Sequence, residues 1–337
     1  MRFRVDITAI VLICLQLSIS AQNSTSAKRL ITEKDLFDFV WVTDPQISPD
    51  GSRVVFTRVV VDDKRTGYET SVWTTSTTGG DSPIRLTNGK HDSSPRWSPD
   101  GRTVAFVRAG EKDDEGKPRP PQIALLSLSG GEARTITNLP KGAANPKWSP
   151  DGKRLIFLSS TTSQDIEKQE RKKSSAKPSS NKGEPAADEH ESDVHLITRA
   201  IYRDNDEGYL DPKHHDHLWL LDVPDPSADL AKPMQLTTGD FDEGEPVWSP
   251  DGSRIYFLTQ RIDEPYYESP TTDIYSISPT GGNPQKLTTV PMGIYDLALT
   301  ADGHRFAFHG SVTKPVRSYS QPDLWSWTYR PLRRLAI

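Results

Sequence analysis

Histidines and acidic residues that could bind a metal ion or transfer a proton are concentrated in one part of the chain. The tetrapeptide His214-His215-Asp216-His217 is the densest group of potential ligands. Adjacent ligands on a short loop seldom converge on one ion, and no further ligand is spaced to complete a tetrahedral site. We therefore predict no metal site and no cofactor.

Nucleophilic catalysis is the second chemistry to consider. The sequence has no Gly-x-Ser-x-Gly nucleophile elbow, no His-Glu-x-x-His, no phosphate loop and no Gly-x-Gly-x-x-Gly after a strand. Serine, histidine and aspartate are plentiful, but their spacing does not single out a triad. We therefore predict no catalytic residue in this chain.

Residues 195–211 combine apolar anchors with polar side chains that could contact a ligand. The candidates are Arg199, Tyr202, Glu207 and Tyr209. An ordered excursion from a scaffold is a natural place to line a cavity or to cover a partner domain. A plain packed hairpin explains the same composition, so both interpretations stay open. We take the four side chains as candidate substrate-binding residues.

The elements that must position these residues are set by a repeat. Trp-Ser-Pro-Asp-Gly, or a close variant, recurs with its proline at 49, 99, 150 and 250, and a degenerate copy places Ala301 at the same point. These positions are separated by 50, 51, 100 and 51 residues. A period in this range indicates repeated supersecondary units. The repeat positions are Pro49, Asp50, Gly51, Trp97, Pro99, Asp100, Gly101, Trp148, Pro150, Asp151, Gly152, Trp248, Pro250, Asp251 and Gly252.

Each repeat predicts four short strands. Proline and aspartate suit the centre of a type I turn, and glycine adopts the positive φ that closes it. Apolar runs follow at 53–56, 102–106, 154–157 and 254–257, and later segments end in threonine at 85–87, 135–137, 235–237 and 286–288. Four strands in about 45 residues predict an all-β propeller of four-stranded blades, of which the chain contains four to five. We expect the motif residues to build turns and the cores between blades.

We expect blade units at about 44–88, 92–138, 143–238, 243–289 and 295–330, the last of them incomplete. The third unit has twice the usual length, which we interpret as one blade with an insertion at 160–215. Residues 161–193 are rich in Ser, Lys, Glu, Pro and Ala and predict a disordered loop. A solvated spacer is the first interpretation of this loop, and a docking or regulatory segment is the alternative.

The first residues have the composition of an export signal. Arg2 and Arg4 precede an apolar run at 7–17, and small residues follow, which predicts a signal peptide over residues 1–21 cleaved after Ser20 or Ala21. An uncleaved anchor is the alternative, although the run is short for a membrane span. We therefore expect a periplasmic or extracellular protein with no membrane association beyond the signal peptide.

Composition limits the remaining chemistry. Cys14, inside the apolar run, is the single cysteine of the 337 residues, so the processed chain would have no disulfide and no thiol chemistry. The net charge of −5, without a basic stripe, argues against nucleic acid as a partner.

The Trp-Ser-Pro-Asp-Gly-x-x-apolar-x-Phe unit with Leu-Thr endings resembles the propeller repeats of the prolyl oligopeptidase (S9) family of serine peptidases. Periplasmic TolB-like propellers share the repeat. Residues 31–36, 197–211 with 217–219, and 318–325 favour the acylaminoacyl-peptidase and dipeptidyl-peptidase branch, and the resemblance covers about residues 30–329. It implies a propeller of about seven blades that limits access to an α/β-hydrolase domain carrying a Ser-Asp-His triad. In this family, acidic residues of propeller loops can hold the substrate's amino terminus, and Glu207 is a candidate for that role by its position within residues 195–211.

The chain departs from that plan, because it has four units and the start of a fifth, and residues 331–337 continue neither the strand pattern nor a Gly-Gly turn. We expect a propeller truncated before the hydrolase domain, to which no triad residue can be assigned and whose open blade edges favour self-association. Three functions remain open. The chain is the non-catalytic propeller of an exported S9 peptidase acting on peptide substrates, a TolB-like periplasmic interaction module without catalysis, or a nonfunctional remnant.

Overall fold

The computed structural model describes residues 29–110, 116–175, 194, 197, 202–204, 208–209, 211–225, 228–262, 271–312 and 321–328. It confirms the all-β propeller, with five blades. Strands within a blade are antiparallel and pair in sequence order. The first strands of successive blades contact one another, which places them around the propeller axis.

The strands divide among the blades as follows. Blade 1 contains β1 (Val40–Ile47), β2 (Arg53–Val61), β3 (Tyr68–Ser76) and β4 (Ile84–Arg85); blade 2 contains β5 (Asp92–Trp97), β6 (Thr103–Arg108), β7 (Gln122–Ser127) and β8 (Arg134–Thr135); blade 3 contains β9 (Ala144–Trp148), β10 (Arg154–Ser159), β13 (His217–Asp222) and β14 (Met234–Gln235); blade 4 contains β15 (Glu243–Trp248), β16 (Ile255–Thr259), β17 (Asp273–Ile277) and β18 (Gln285–Lys286); blade 5 contains β19 (Met292–Leu299), β20 (Arg305–Val312) and β21 (Asp323–Thr328). A 3₁₀ helix at Glu33–Asp38 precedes blade 1.

The turn between the first and second strands is built by the repeated motif. In blade 1 the Ser48 hydroxyl donates to Asp50 at 2.6 Å and accepts the N–H of Arg53 at 2.9 Å. The N–H of Gly51, at φ 72°, closes the turn on the Ser48 carbonyl at 2.9 Å. The same three bonds recur at residues 98–103, 149–154, 249–254 and 300–305. Side-chain oxygens therefore replace backbone partners in each turn.

Apolar side chains of the second and third strands fill the seams between blades. Phe157 of β10 is fully buried and packs against Ala105 and Ile123 of the preceding blade. Ile156, the preceding residue, points to the opposite face and joins the cluster shared with β16 and its Phe257. Because successive side chains of a strand point to opposite faces of the sheet, each strand contributes apolar side chains to the seams on both sides of its blade.

The threonines that end each repeat complete the third strand's hydrogen bonds. Their hydroxyls accept buried backbone N–H groups at 2.8–3.1 Å. The pairs are Thr87 with Val72, Thr137 with Ile123, Thr237 with Leu218 and Thr288 with Ile274. The threonine lies just after the short fourth strand. Its hydroxyl accepts a hydrogen bond that would otherwise need a backbone carbonyl of that strand.

Replacing Thr137 with valine should lower the free energy of unfolding by about 1–3 kcal/mol, because the buried N–H of Ile123 loses its acceptor at nearly constant volume. Thr135→Val, on the exposed side of β8, is the control and should change it by less than about 0.5 kcal/mol. Urea unfolding of both variants measures the difference. Equal effects would show that the Thr137 hydroxyl does not stabilise the fold.

The insertion of blade 3 corrects one prediction. Residues 163–175, expected to be disordered, form helix α1 (Ser163–Ser175). Thr162 and Asp165 exchange hydrogen bonds in a capping box, with the Thr162 N–H donating to the Asp165 carboxylate at 2.8 Å and the Asp165 N–H donating to the Thr162 hydroxyl at 3.2 Å. Ile166 anchors the first turn against the core shared by blades 2 and 3. Composition alone missed this helix, because capping and one apolar contact stabilise a polar segment.

Beyond α1 the chain forms a short hairpin of β11 (Arg203–Asp204) and β12 (Gly208–Tyr209) before it enters β13. Since β13 pairs with β10, the double-length unit contains one blade interrupted by the insertion. The signal-peptide prediction at residues 1–21 and the tail at residues 331–337 lie outside the described residues.

Candidate functional site

The four predicted substrate-binding residues are not assembled into a site among the described residues. Tyr202 is 43% exposed beside the short hairpin. Tyr209 lies in β12, where its backbone pairs with Arg203. Arg199 and Glu207 lie outside the described residues. Their role in binding a substrate remains a prediction.

The histidines that follow the hairpin pair with carboxylates. His214 lies between Asp211 at 2.6 Å and Asp165 at 3.0 Å, so it connects the return of the insertion to the start of α1. His217 is buried and contacts Glu243 at 2.7 Å. Across the part of the chain that the structure describes, no group of three His, Cys, Asp or Glu residues is arranged to hold a metal ion. These histidines therefore act as structural hydrogen-bond partners of carboxylates.

The inner strands carry a feature that recurs around the axis. In each of the first four blades a bulge interrupts the pairing of the first strand with the second. The bulge residue has a left-handed backbone, with φ between 45° and 53°, although it is not glycine, and a proline follows it. The four residues are Asp44, Ser94, Asn145 and Glu245. A strained conformation at equivalent positions redirects the strand and its side chains, which is the usual consequence of a β-bulge.

The ends of the inner strands line an open cavity of about 530 Å³. All five blades contribute to its wall, because the residues two and three positions before each motif proline face it, as do their counterparts in blade 5. These positions are Gln46, Ile47, Arg96, Trp97, Lys147, Trp148, Val247, Trp248, Ala298 and Leu299. Such a volume suits a small organic ligand or a short peptide segment.

Indole rings fix the wall of this axial cavity. The Nε1–H of Trp97 donates to the carbonyl of Gln46 in the preceding blade at 3.0 Å. Trp148 and Trp248 repeat the bond to the carbonyls of Arg96 and Lys147, at 3.0 and 3.3 Å. Each tryptophan of the motif therefore fastens its own blade to the one before it, at the position that lines the cavity.

The charges of the cavity wall are positive. Among the residues that the structure describes, its lining contains Arg96 and Lys147 and no carboxylate. Arg96 forms an ion pair with Asp44 at 2.5 Å. Burial, followed by repulsion from Arg96, lowers the pKa of Lys147, whereas Glu245, Asp44 and Asp296 act in the opposite direction. The amine of Lys147 is therefore partly desolvated.

Sequence reasoning missed this cavity, although a signal for it was present. An Asx, Ser or Glu followed by proline precedes the motif proline by five residues in four repeats, at 44–45, 94–95, 145–146 and 245–246. A proline inside a predicted strand indicates a bulge or a strand edge. The cation positions carry no comparable signal, because the residues equivalent to Arg96 and Lys147 are not charged in the other blades.

Acid should destabilise the propeller through its turns. The serine hydroxyl that donates to each turn aspartate lowers the pKa of Asp50 to about 2 and also lowers the pKa of Asp100, Asp151 and Asp251. The stabilisation that these carboxylates provide is present above their pKa in the unfolded chain, about 4. It is lost as pH falls through their lower pKa values in the folded protein. The free energy of unfolding, measured in urea, should therefore decrease from about pH 4 to about pH 2.

Two variants test the origin of this slope. Asp151→Asn removes the titrating group and Ser149→Ala removes the hydroxyl that lowers its pKa, so each should make the loss of stability with falling pH less steep. A slope equal to that of the unmodified protein in both variants would assign the acid sensitivity to other carboxylates.

None of the helices within the described ranges is long and apolar enough to cross a membrane.

Comparisons with known proteins agree with this architecture. Residues 21–188 match the PD40 family, described as a TolB beta propeller domain. A Bacillus subtilis (strain 168) protein named Uncharacterized peptidase YuxL is 34% identical over 243 residues, which are 70% of this chain and 32% of that protein. Dipeptidyl-peptidase 5 of Porphyromonas endodontalis is 24% identical over 285 residues, which are 81% of this chain and 37% of that protein.

The chain thus spans about a third of the length of the curated relatives it matches. Among solved structures, an acylaminoacyl peptidase of Pyrococcus horikoshii superposes with a TM-score of 0.56 at 18% identity, covering 88% of this chain and 39% of that chain. At that identity the superposition shows a shared propeller fold.

Proposed function

Because this chain is a PD40, TolB-type β-propeller related in sequence to peptidases of the S9 family, we propose that it is the non-catalytic propeller of an exported serine peptidase. In this role it limits the access of peptides to a catalytic α/β-hydrolase domain. The axial cavity carries the proposal, since inner strands of all five blades line it and its volume of about 530 Å³ matches a short peptide segment and is far smaller than a folded domain.

The cavity's construction supports selection by size. Trp97, Trp148 and Trp248 each fasten one blade to the preceding one at the wall, so the opening is held by hydrogen bonds as well as by apolar packing. A preorganised opening loses little conformational entropy when a small peptide binds, and we expect its size to exclude folded proteins. Exclusion of water and of large substrates supports acyl transfer by a serine nucleophile in a partner domain.

A chimera tests the proposal. The 243 residues of the Bacillus subtilis relative that match this chain are replaced by the corresponding residues of this chain. The chimera should hydrolyse a short chromogenic peptide, which shows that its hydrolase domain is folded, and should leave a folded protein substrate intact. A chimera that cleaves both substrates at similar rates would contradict selection by the propeller.

The second candidate, an interaction module without catalysis, rests on the match to the TolB-type family. It predicts no difference between substrates in the chimera. Under either function, export would be visible as a mature chain that begins near residue 21 or 22.

A further inference from the structure

We propose that the axial cavity binds the C-terminal carboxylate of an oligopeptide, held by Lys147 and Arg96. The inference rests on the proposed function only for the choice of a peptide as ligand. Its basis is the cavity wall, where two cations from neighbouring blades stand among apolar and aromatic side chains.

The two cations occupy equivalent positions on adjacent inner strands. Arg96 of β5 and Lys147 of β9 both stand three residues before the motif proline and both face the cavity. Blades 1, 4 and 5 present neutral residues at this position. The positive charge is therefore confined to one side of the cavity, which gives a bound anion a defined orientation.

Lys147 is the cation without a close counter-ion. Arg96 is paired with Asp44 at 2.5 Å, whereas no carboxylate oxygen among the described residues lies within 4.0 Å of the Lys147 amine. The guanidinium of Arg96 repels the Lys147 ammonium, whereas the carboxylates of Glu245, Asp44 and Asp296 attract it without forming an ion pair within 4.0 Å. An anion entering the cavity would supply the partner that a partly desolvated ammonium requires.

The rest of the wall favours an apolar group beside the anion. The indole N–H groups of Trp97, Trp148 and Trp248 are already donated to backbone carbonyls, so these residues offer a ligand only ring surface. Val247 and Leu297 add apolar surface to the wall beyond the indole rings. A carboxylate attached to a residue with a large apolar side chain matches both the cationic and the apolar residues of the wall. The last residue of a peptide can have that chemistry.

Calorimetric titration of the 337-residue chain tests the assignment with N-acetyl-Ala-Ala-Phe as the free acid and as the C-terminal amide. The acid should bind at least about tenfold more tightly than the amide, as expected for loss of a charge-assisted hydrogen bond. Lys147→Met should abolish this preference. Lys153→Met, on the exposed turn of the same blade, is the matched control and should retain it.

Folding of the variant is checked independently. Lys147→Met removes a desolvated charge, so its melting temperature should be no lower than that of the unmodified chain. Equal affinity for acid and amide, a preference that persists in Lys147→Met, or no binding of either peptide would overturn the proposal. Any of these results together with a size-selective chimera would leave the peptidase function standing without this site.

Discussion

Replacing Phe157 with alanine should lower the free energy of unfolding by about 3–5 kcal/mol, one of the largest single losses we expect. Phe157 is 0% exposed and fills the seam between blades 2 and 3 together with Ala105, Ile123 and Trp219. Strands on both sides of the seam fix its walls, so the space left by the ring cannot collapse fully. The cost therefore includes a cavity in addition to the lost transfer of the ring out of water.

Urea unfolding followed by tryptophan fluorescence measures this loss, and Phe37→Ala provides the comparison. Phe37 lies in the 3₁₀ helix before blade 1, is 40% exposed and packs under the guanidinium of Arg65 at 4.6 Å. Its truncation should cost less than about 1 kcal/mol. Similar losses at the two positions would mean that the seam between blades 2 and 3 does not hold the propeller together.

Replacing Glu243 with alanine should cost a comparable amount, about 3–5 kcal/mol, for an electrostatic reason. The carboxylate is 3% exposed and accepts hydrogen bonds from His217 at 2.7 Å, Thr237 at 2.9 Å and Arg261 at 3.0 Å. Removing it leaves three buried or partly buried donors without their acceptor. The larger part of the loss is the penalty for those orphaned groups.

Glu132→Ala, on an exposed Gly-Gly turn, controls for loss of a negative charge and should change stability by less than about 0.5 kcal/mol. Glu243→Gln keeps an acceptor oxygen, so its loss in the free energy of unfolding should lie between those of Glu243→Ala and Glu132→Ala. If Glu243→Ala proved as mild as the control, the network would not contribute to the stability of blade 4. Asp92 occupies the equivalent position of blade 2 and pairs with Arg108 at 3.0 Å, so the same alanine substitution at Asp92 would test the role of this position a second time.

The sequence predicted those parts of the fold that rest on local chemistry. Each Ser-Pro-Asp-Gly encodes its own turn, because the serine and aspartate side chains bond within five residues, and the same spacing predicts the blades. The buried role of Phe157 follows from strand alternation once the turn is located. The threonines that end each repeat form a recognisable sequence pattern. Their hydrogen bonds to the third strand could not be predicted, because donor and acceptor become neighbours only in the assembled sheet.

Features that depend on contacts across blades could not be predicted in the same way. Helix α1 in a polar insertion depends on one capping box and on Ile166 reaching the core. The axial cavity depends on five strands converging, and Arg96 and Lys147, about 50 residues apart, become neighbours only through the repeat. The candidates Arg199 and Glu207 lie in the insertion outside the described residues, so their assignment stays a prediction.

The claim that a peptide enters the axial cavity is tested most directly by the indole ¹⁵N–¹H signals of the chain's eight tryptophans. On titration with N-acetyl-Ala-Ala-Phe, the signals of Trp97, Trp148 and Trp248, which line the cavity, should shift together in a saturable way. The five other indoles, at positions 41, 73, 219, 325 and 327, should not move and serve as internal controls. No shift at saturating peptide, or shifts confined to those five, would contradict the account.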